Sequence, residues 1–204
     1  IRFLMLGGDP ENPVHEKGIH IDGGWIFDSL DLDLVNSPYR LALFRCHFEE
    51  PLSLLDAVLA GLYLNGSYVP SLDAQGVGVK GNIFLQDGFK AEGEVRLSSA
   101  TVGGQLSCTE GHFSNPDGDA LNAEGVEVKG HIFLRDGFKA EGEVRLSGAT
   151  VGGQLSWSEG HFSNPTGKAL NAQNIDVKGG VFLGEGFKAE GEVNLSGAAI
   201  GGQL

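Results

Sequence analysis

The sequence predicts an all-β solenoid of about eight short-stranded coils stacked along one axis, and three observations carry that expectation. First, the 49-residue unit from Val128 to Asp176 follows a gapless relative, Val79 to Glu127, at 38 identical positions, and Val177 to Leu204 begins a third copy. Second, apolar and polar residues alternate in runs of about five, as in Val144-Arg145-Leu146-Ser147 and Ala149-Thr150-Val151. Third, 33 of the 204 residues are glycine, many closing these runs where a chain that turns every few residues needs them. Four such runs close one coil, so each 49-residue unit makes two coils of roughly 23 to 26 residues at a spacing of about 4.8 Å.

Taken in order, residues 1–18 stand outside the pattern and are expected to form the remnant of an N-terminal cap. Ile1 to Gly8 reads as the tail of a short helix, and an irregular stretch follows. A solenoid needs such a cover because bare strand edges invite pairing with other chains. Residues 19–51 are expected to form irregular coils, with Ile19 to Gly23, Gly24 to Asp28 and Leu32 to Asn36 as three sides of the first. Residues 52–78 hold cleaner quintets, and the repeats occupy 79–127, 128–176 and 177–204. Cys46-His47-Phe48 falls over Gly111-His112-Phe113 and Gly160-His161-Phe162, which sets one register from about Leu41 onward. The segments Pro116 to Ala120 and Pro165 to Ala169 interrupt it and should bulge from one corner, since Asn-Pro followed by Gly is a turn signal.

The contiguous runs AVLAG, LYLNG, SYVPS, LDAQG and VGVKG, Ala57 to Gly81, resemble the pentapeptide-repeat pattern, with single-residue insertions at Asn82, Glu94 and Gln105. The longer phrases FKAEGEVRLSGATVGGQL and HFSNPxGxALNA are similar to bacterial repeat proteins often labelled membrane-associated oxidoreductases. The resemblance implies a right-handed, four-sided parallel β-helix from about Ile19 onward. It also implies two activities as expectations: mimicry of a DNA duplex toward an enzyme such as DNA gyrase, and the oxidoreductase activity of the label.

Composition bounds the partners. With 27 Asp plus Glu against 14 Lys plus Arg the net charge is −13, which argues against direct nucleic-acid binding through a basic patch. Residues 1–78 carry eleven acids and four bases, net −7; residues 79–127 carry eight and three, net −5; residues 128–176 carry five of each. No run approaches the ~20 apolar residues of a spanning helix. Cys46 and Cys108, three coils apart, are expected to be free thiols, which fits a cytoplasmic protein.

No catalytic, cofactor-binding or metal-ligating residue is expected. His112 and His161 repeat at one outward position two coils, about 9.6 Å, apart, too far to share a zinc ion at bonds of about 2 Å. The most pointed signal is aromatic: alternation turns Tyr63, Phe84, Phe133 and Phe182 outward on one wall. Trp157, which replaces Cys108 one unit on, would join them if its bulk displaced it from the narrow interior. Aligned surface rings mark an interface, the alternative being single rings that lie flat on neighbouring strands. The expected function is therefore that of a rigid acidic rod presenting flat walls to a protein partner. The chain stops at Gly201-Gly202-Gln203-Leu204 with a coil half built, so the expectation extends to further coils or to self-association through that open edge.

Overall fold

The computed structural model describes residues 1–203 and is a parallel β-solenoid. Leu204, where the expectation about the chain's end falls, lies outside the described residues. Strands pair in parallel in four successive ladders. The first ladder has eight strands, from Ile19–Asp22 to Val181–Phe182, and so counts eight coils. The second runs from Trp25–Ile26 upward and the third from Leu30–Asp31 upward; both belong to one 12-stranded sheet because longer strands such as His112–Asn122 turn the corner between them. The fourth, from Val58–Leu59 to Ala199–Ile200, has seven strands, and an isolated bridge from Asn36 to Val58 supplies its first rung.

Most strands are two residues long, so the rods of backbone hydrogen bonds and side chains between coils give the fold its regularity. In each strand one residue faces in and one out: Ile132 is buried and Phe133 partly exposed, Val144 buried and Arg145 partly exposed. Two of the first-coil sides expected from the sequence form, at Ile19–Asp22 and Trp25–Ile26, whereas the third strand is Leu30–Asp31, ahead of the expected Leu32 to Asn36, which makes a turn and the Asn36 bridge. A single helical turn, Arg2–Met5, lies under them with Met5 fully buried, and Gly8–Asp9 pairs antiparallel with Asn12–Pro13.

The register explains why the unit is 49 residues and not half that. Ile83 stacks under Leu106, 23 positions on, and Leu106 under Ile132, 26 positions on, because every second coil carries the Pro116 to Ala120 type of insertion. The core imposes the same two-coil period. In one inward row of the second ladder stand Phe89, Gly111, Phe138, Gly160 and Phe187, and in the next stand Ala91, Phe113, Ala140, Phe162 and Ala189. Each coil thus holds one phenylalanine and one small residue, with the positions exchanged from coil to coil. The rings zigzag up the axis at centroid distances of 5.3 to 5.6 Å. The glycines are required by contact: a Cβ at Gly160 would meet the Phe162 ring at 2.8 Å and the Leu134 carbonyl at 2.7 Å. Close packing of large against small residues needs two coils per period, and the sequence repeat follows.

The insertions noted at Asn82 and Gln105 have a polar solution. Asn82 Oδ1 accepts from the Gln105 N–H at 2.9 Å, and in the next unit His131 Nδ1 accepts from the Gln154 N–H at 2.9 Å. A side chain thereby closes the backbone bond that the extra residue would orphan. At the inserted corner Gly142 has φ +121°, and a Cβ there would collide with the carbonyls of Asn115 and Gly118. Only glycine fits that crossing.

Candidate functional site

The four rings expected on one wall do line one outward row of the first ladder. Reading up from Ala42, the row is Tyr63, Phe84, Ser107, Phe133, Ser156 and Phe182. The rings lie down along the wall and are partly buried, and the intervening Ser107 and Ser156 are covered almost completely. Tyr63 and Phe84 meet edge to face at 5.2 Å; Phe133 stacks against His131 at 5.4 Å and carries the Arg135 guanidinium 4.2 Å above its centroid. The result is a smooth, semi-apolar strip broken at every second coil by a hydroxyl.

Trp157 is not part of it. The indole faces inward and is fully buried, in the column that holds Leu134 one coil below and Leu183 one coil above. Alternation holds against bulk here, since turning the indole outward would need a bulge and would leave an inward gap. The cost is an indole N–H with no hydrogen-bond partner among the described residues, worth about 1–3 kcal/mol in a dry interior.

A second aromatic array was missed by reasoning from the repeats. Trp25, His47 and Tyr68 occupy one outward row of the second ladder in the first three coils. Trp25 and His47 are 4.2 Å apart, His47 and Tyr68 4.6 Å apart and nearly parallel, and Phe27 stacks beside Trp25 at 6.1 Å. Trp25 Nε1–H donates to Glu49 at 3.0 Å, and Tyr68 O–H donates to Glu92 at 2.9 Å. That bond to a carboxylate holds the Tyr68 phenol above its ordinary pKa. The signal was present in the sequence: extending the Cys46-His47-Phe48 register one coil down and one coil up aligns Trp25, His47 and Tyr68.

In the later coils the same row reads Lys90, His112, Lys139, His161 and Lys188, so the two histidines do sit two coils apart with a lysine between. Each faces the acid of the coil above, His112 Nε2 at 3.6 Å from Glu141 and His161 Nε2 at 3.4 Å from Glu190. Ser114 donates to Glu141 at 2.7 Å and Ser163 to Glu190 at 3.1 Å. The Ser114 hydrogen bond, reinforced by His112 and Lys139, holds the Glu141 carboxyl below its usual range.

The third ladder is a salt-bridge wall. Arg96 joins Asp73 at 3.1 Å and Glu94 at 2.6 Å, and Arg145 joins Asp119 at 3.1 Å and Glu143 at 3.4 Å. The two inserted segments do bulge from one corner, and Asn115 and Asn164 each donate across their own loop to the carbonyls of Asp119 and Lys168. Between the loops lies a cleft of about 360 Å³ lined by Asp117, Asp119, Glu143 and Thr166. Another concavity, about 640 Å³, is an open dent on the fourth ladder lined by Gly78, Gly103, Lys80, Glu127 and Lys129. Among the described residues no group of three His, Cys, Asp or Glu is placed to hold a metal ion, and no helix is long and apolar enough to cross a membrane. Both cysteines are free and buried, and burial pushes both thiols up.

At the C-terminal edge the inward residues Leu183, Phe187, Leu195 and Ile200 are only partly buried and Val193 is exposed. Comparison of the chain with protein-family models, with curated proteins and with solved structures gives no match.

Proposed function

We propose that this chain is a non-enzymatic interaction scaffold, a right-handed, four-sided β-helix of the pentapeptide-repeat kind whose flat walls engage a protein partner. One observation carries the reading: the strip of Tyr63, Phe84, Phe133 and Phe182, where rings spaced one or two coils apart are laid flat and held before any partner arrives. A preformed surface loses little entropy on binding. The charge pattern of the later coils supports a scaffold as well, since five bases and five acids leave residues 128–176 neutral. A cytoplasmic location fits the two unpaired thiols.

The test is to change Phe84, Phe133 and Phe182 together to serine. Partner capture from the native cell, or self-association in solution, should fall while the circular dichroism spectrum stays unchanged. Undiminished capture would remove the strip from the interface, and collapse of the fold would place the rings in the core.

A DNA-mimicking protein acting on an enzyme such as gyrase is the second reading, favoured by the net charge of −12 on residues 1–127, from nineteen acids against seven bases. Its support is thinner, because Asp22, Asp31 and Asp73 are each tied to an arginine, Arg45, Arg2 and Arg96 respectively, and do not form one free column. A supercoiling assay with purified gyrase separates the two readings.

A further inference from the structure

On one pair of outward rows in the second ladder, the later coils carry their own counter-charges. Lys90, Lys139 and Lys188 stand two residues from Glu92, Glu141 and Glu190, and His112 and His161 reach the same acids across the coils. In the first three coils that row has no lysine and reads Trp25, His47 and Tyr68, while acids remain: Glu49 in the neighbouring row, with Glu92 of the fourth coil above Tyr68, and Asp28 and Glu50 at the corner. Among the described residues none of these four carboxylates forms an ion pair with a basic side chain. Two of them are spent instead as acceptors that fix the rings.

The rings are fixed yet open. Trp25 is 57% exposed and Phe27 65% exposed, the largest aromatic exposures on the coils. Solvent-exposed rings held in place by stacking and by a hydrogen bond are unusual on a monomer surface unless something covers them. Among the described residues the stack of 4.2 and 4.6 Å steps runs from Tyr68 through His47 to Trp25.

We propose that this wall of the first three coils docks an extended, arginine- or lysine-rich segment of a partner protein, whose cations lie on the Trp25 and Phe27 rings and pair with Glu49, Glu50 and Asp28. The charge argument selects the occupant. Cations are attracted to ring faces and to unpaired carboxylates alike, whereas an anionic ligand would meet a region of net −7. A second copy of this chain does not qualify, since its least acidic part, residues 128–204, still sums to −1 from eight acids and seven bases. The proposal rests on the scaffold reading but uses a different wall from the Phe84 strip, so the two can fail separately.

The experiment is calorimetric titration of the whole chain with a ten-residue alternating Arg-Ser peptide, with a Glu-Ser peptide and a neutral glucan hexaose as comparisons. The variants are W25A/F27A, E49Q/E50Q and the triple serine variant of the Phe84 strip. Binding of the Arg-Ser peptide should weaken about tenfold in each of the first two variants, weaken with added salt, and stay unchanged in the third. Equal affinity in W25A/F27A would reduce the effect to general attraction by an acidic protein and overturn the proposal. So would a hexaose that binds where the peptide does not, or no peptide binding at millimolar concentration. If W25A/F27A loses its fold, E49Q/E50Q decides alone, because those exposed carboxylates can be neutralised without removing packed volume.

Discussion

The first three coils and the repeats above them share one lattice and fill it in opposite ways. In the repeats the large rings are inside, Phe89 through Phe187 zigzagging along the axis, and the outer wall of the same ladder is Lys, His, Glu and Ser. In the first coils one of these inward rows holds Cys46 and Ser67 and the other keeps a single buried ring, Phe48, while Trp25, Phe27, His47 and Tyr68 stand outside. Ser67 survives in the core because its hydroxyl bridges the Cys46 N–H at 2.8 Å and the Leu43 carbonyl at 2.7 Å. The difference teaches that one backbone lattice accepts aromatic residues on the axis or on the wall, provided the inward rows stay filled, as Phe48, Leu52 and Leu54 fill them in the first coils.

The sharpest break of that comparison is at one lattice position. Phe138→Ala removes a fully buried ring lying between Phe113 and Phe162 and should cost about 3–5 kcal/mol, read as a shift in denaturation midpoint. Cys46→Ala, the same position four coils earlier, loses only a sulfur atom and should cost about 1 kcal/mol. Equal losses would mean that the zigzag of rings is not what holds the repeats.

Next in size, the contrast between inside and outside can be tested within one coil. Leu146→Ala should cost about 2–5 kcal/mol, while Glu141→Gln, on the wall, should stay within about 0.5. Comparable midpoints for the two would contradict the buried position of Leu146.

Leu34 offers a gain. One corner of every coil has its residue in the left-handed region: Leu34, Asp56, Gly76, Ser99, Gly125, Gly148, Asn174 and Gly197. Gly and Asn suit that conformation; a leucine there, 75% exposed, is strained without burying anything. Leu34→Asn, the residue type of Asn174, should stabilise by about 0.5–1.5 kcal/mol. A lower midpoint would show that Leu34 makes a stabilising contact worth more than the strain.

Much of this was legible in the sequence because a solenoid writes its physics locally. Alternation set in and out at Ile132-Phe133, the histidine column gave the register, and the Asn-Pro segments marked the bulging corner. Trp157 was harder, since whether an indole fits a narrow core depends on how its neighbours in adjacent coils yield, which no local pattern encodes. The Trp25 stack was hidden for a different reason: its members come from three coils that lack the repeat phrases, so they align only after the register is carried below Leu41.

The smallest prediction returns to the uneven charge of the two ends, now within the repeats. Asp119 and Lys168 occupy one position in successive units; Asp119 stacks on Glu143, acid beside acid, whereas Lys168 stacks on Glu192. Burial, together with Glu143 and Glu94, raises the Asp119 pKa against the opposing pull of Arg145. An acid whose folded pKa lies above the unfolded value, about 3.9, binds its proton more tightly when folded. Its favourable contribution is therefore complete below the unfolded pKa and is lost as pH rises through the folded value. Glu141, with a depressed pKa, has the opposite slope: its contribution is present above the unfolded value and lost as pH falls through the folded one. Asp119→Asn should remove the first slope and leave the second, so the variant ought to gain on the natural chain at pH 7 and lose that advantage toward pH 4. The effect should be about 0.5 kcal/mol or less, since water screens a corner carboxylate. Stability curves measured between pH 3 and 7 that run parallel for the two proteins would show that Arg145 fully compensates the acid pair.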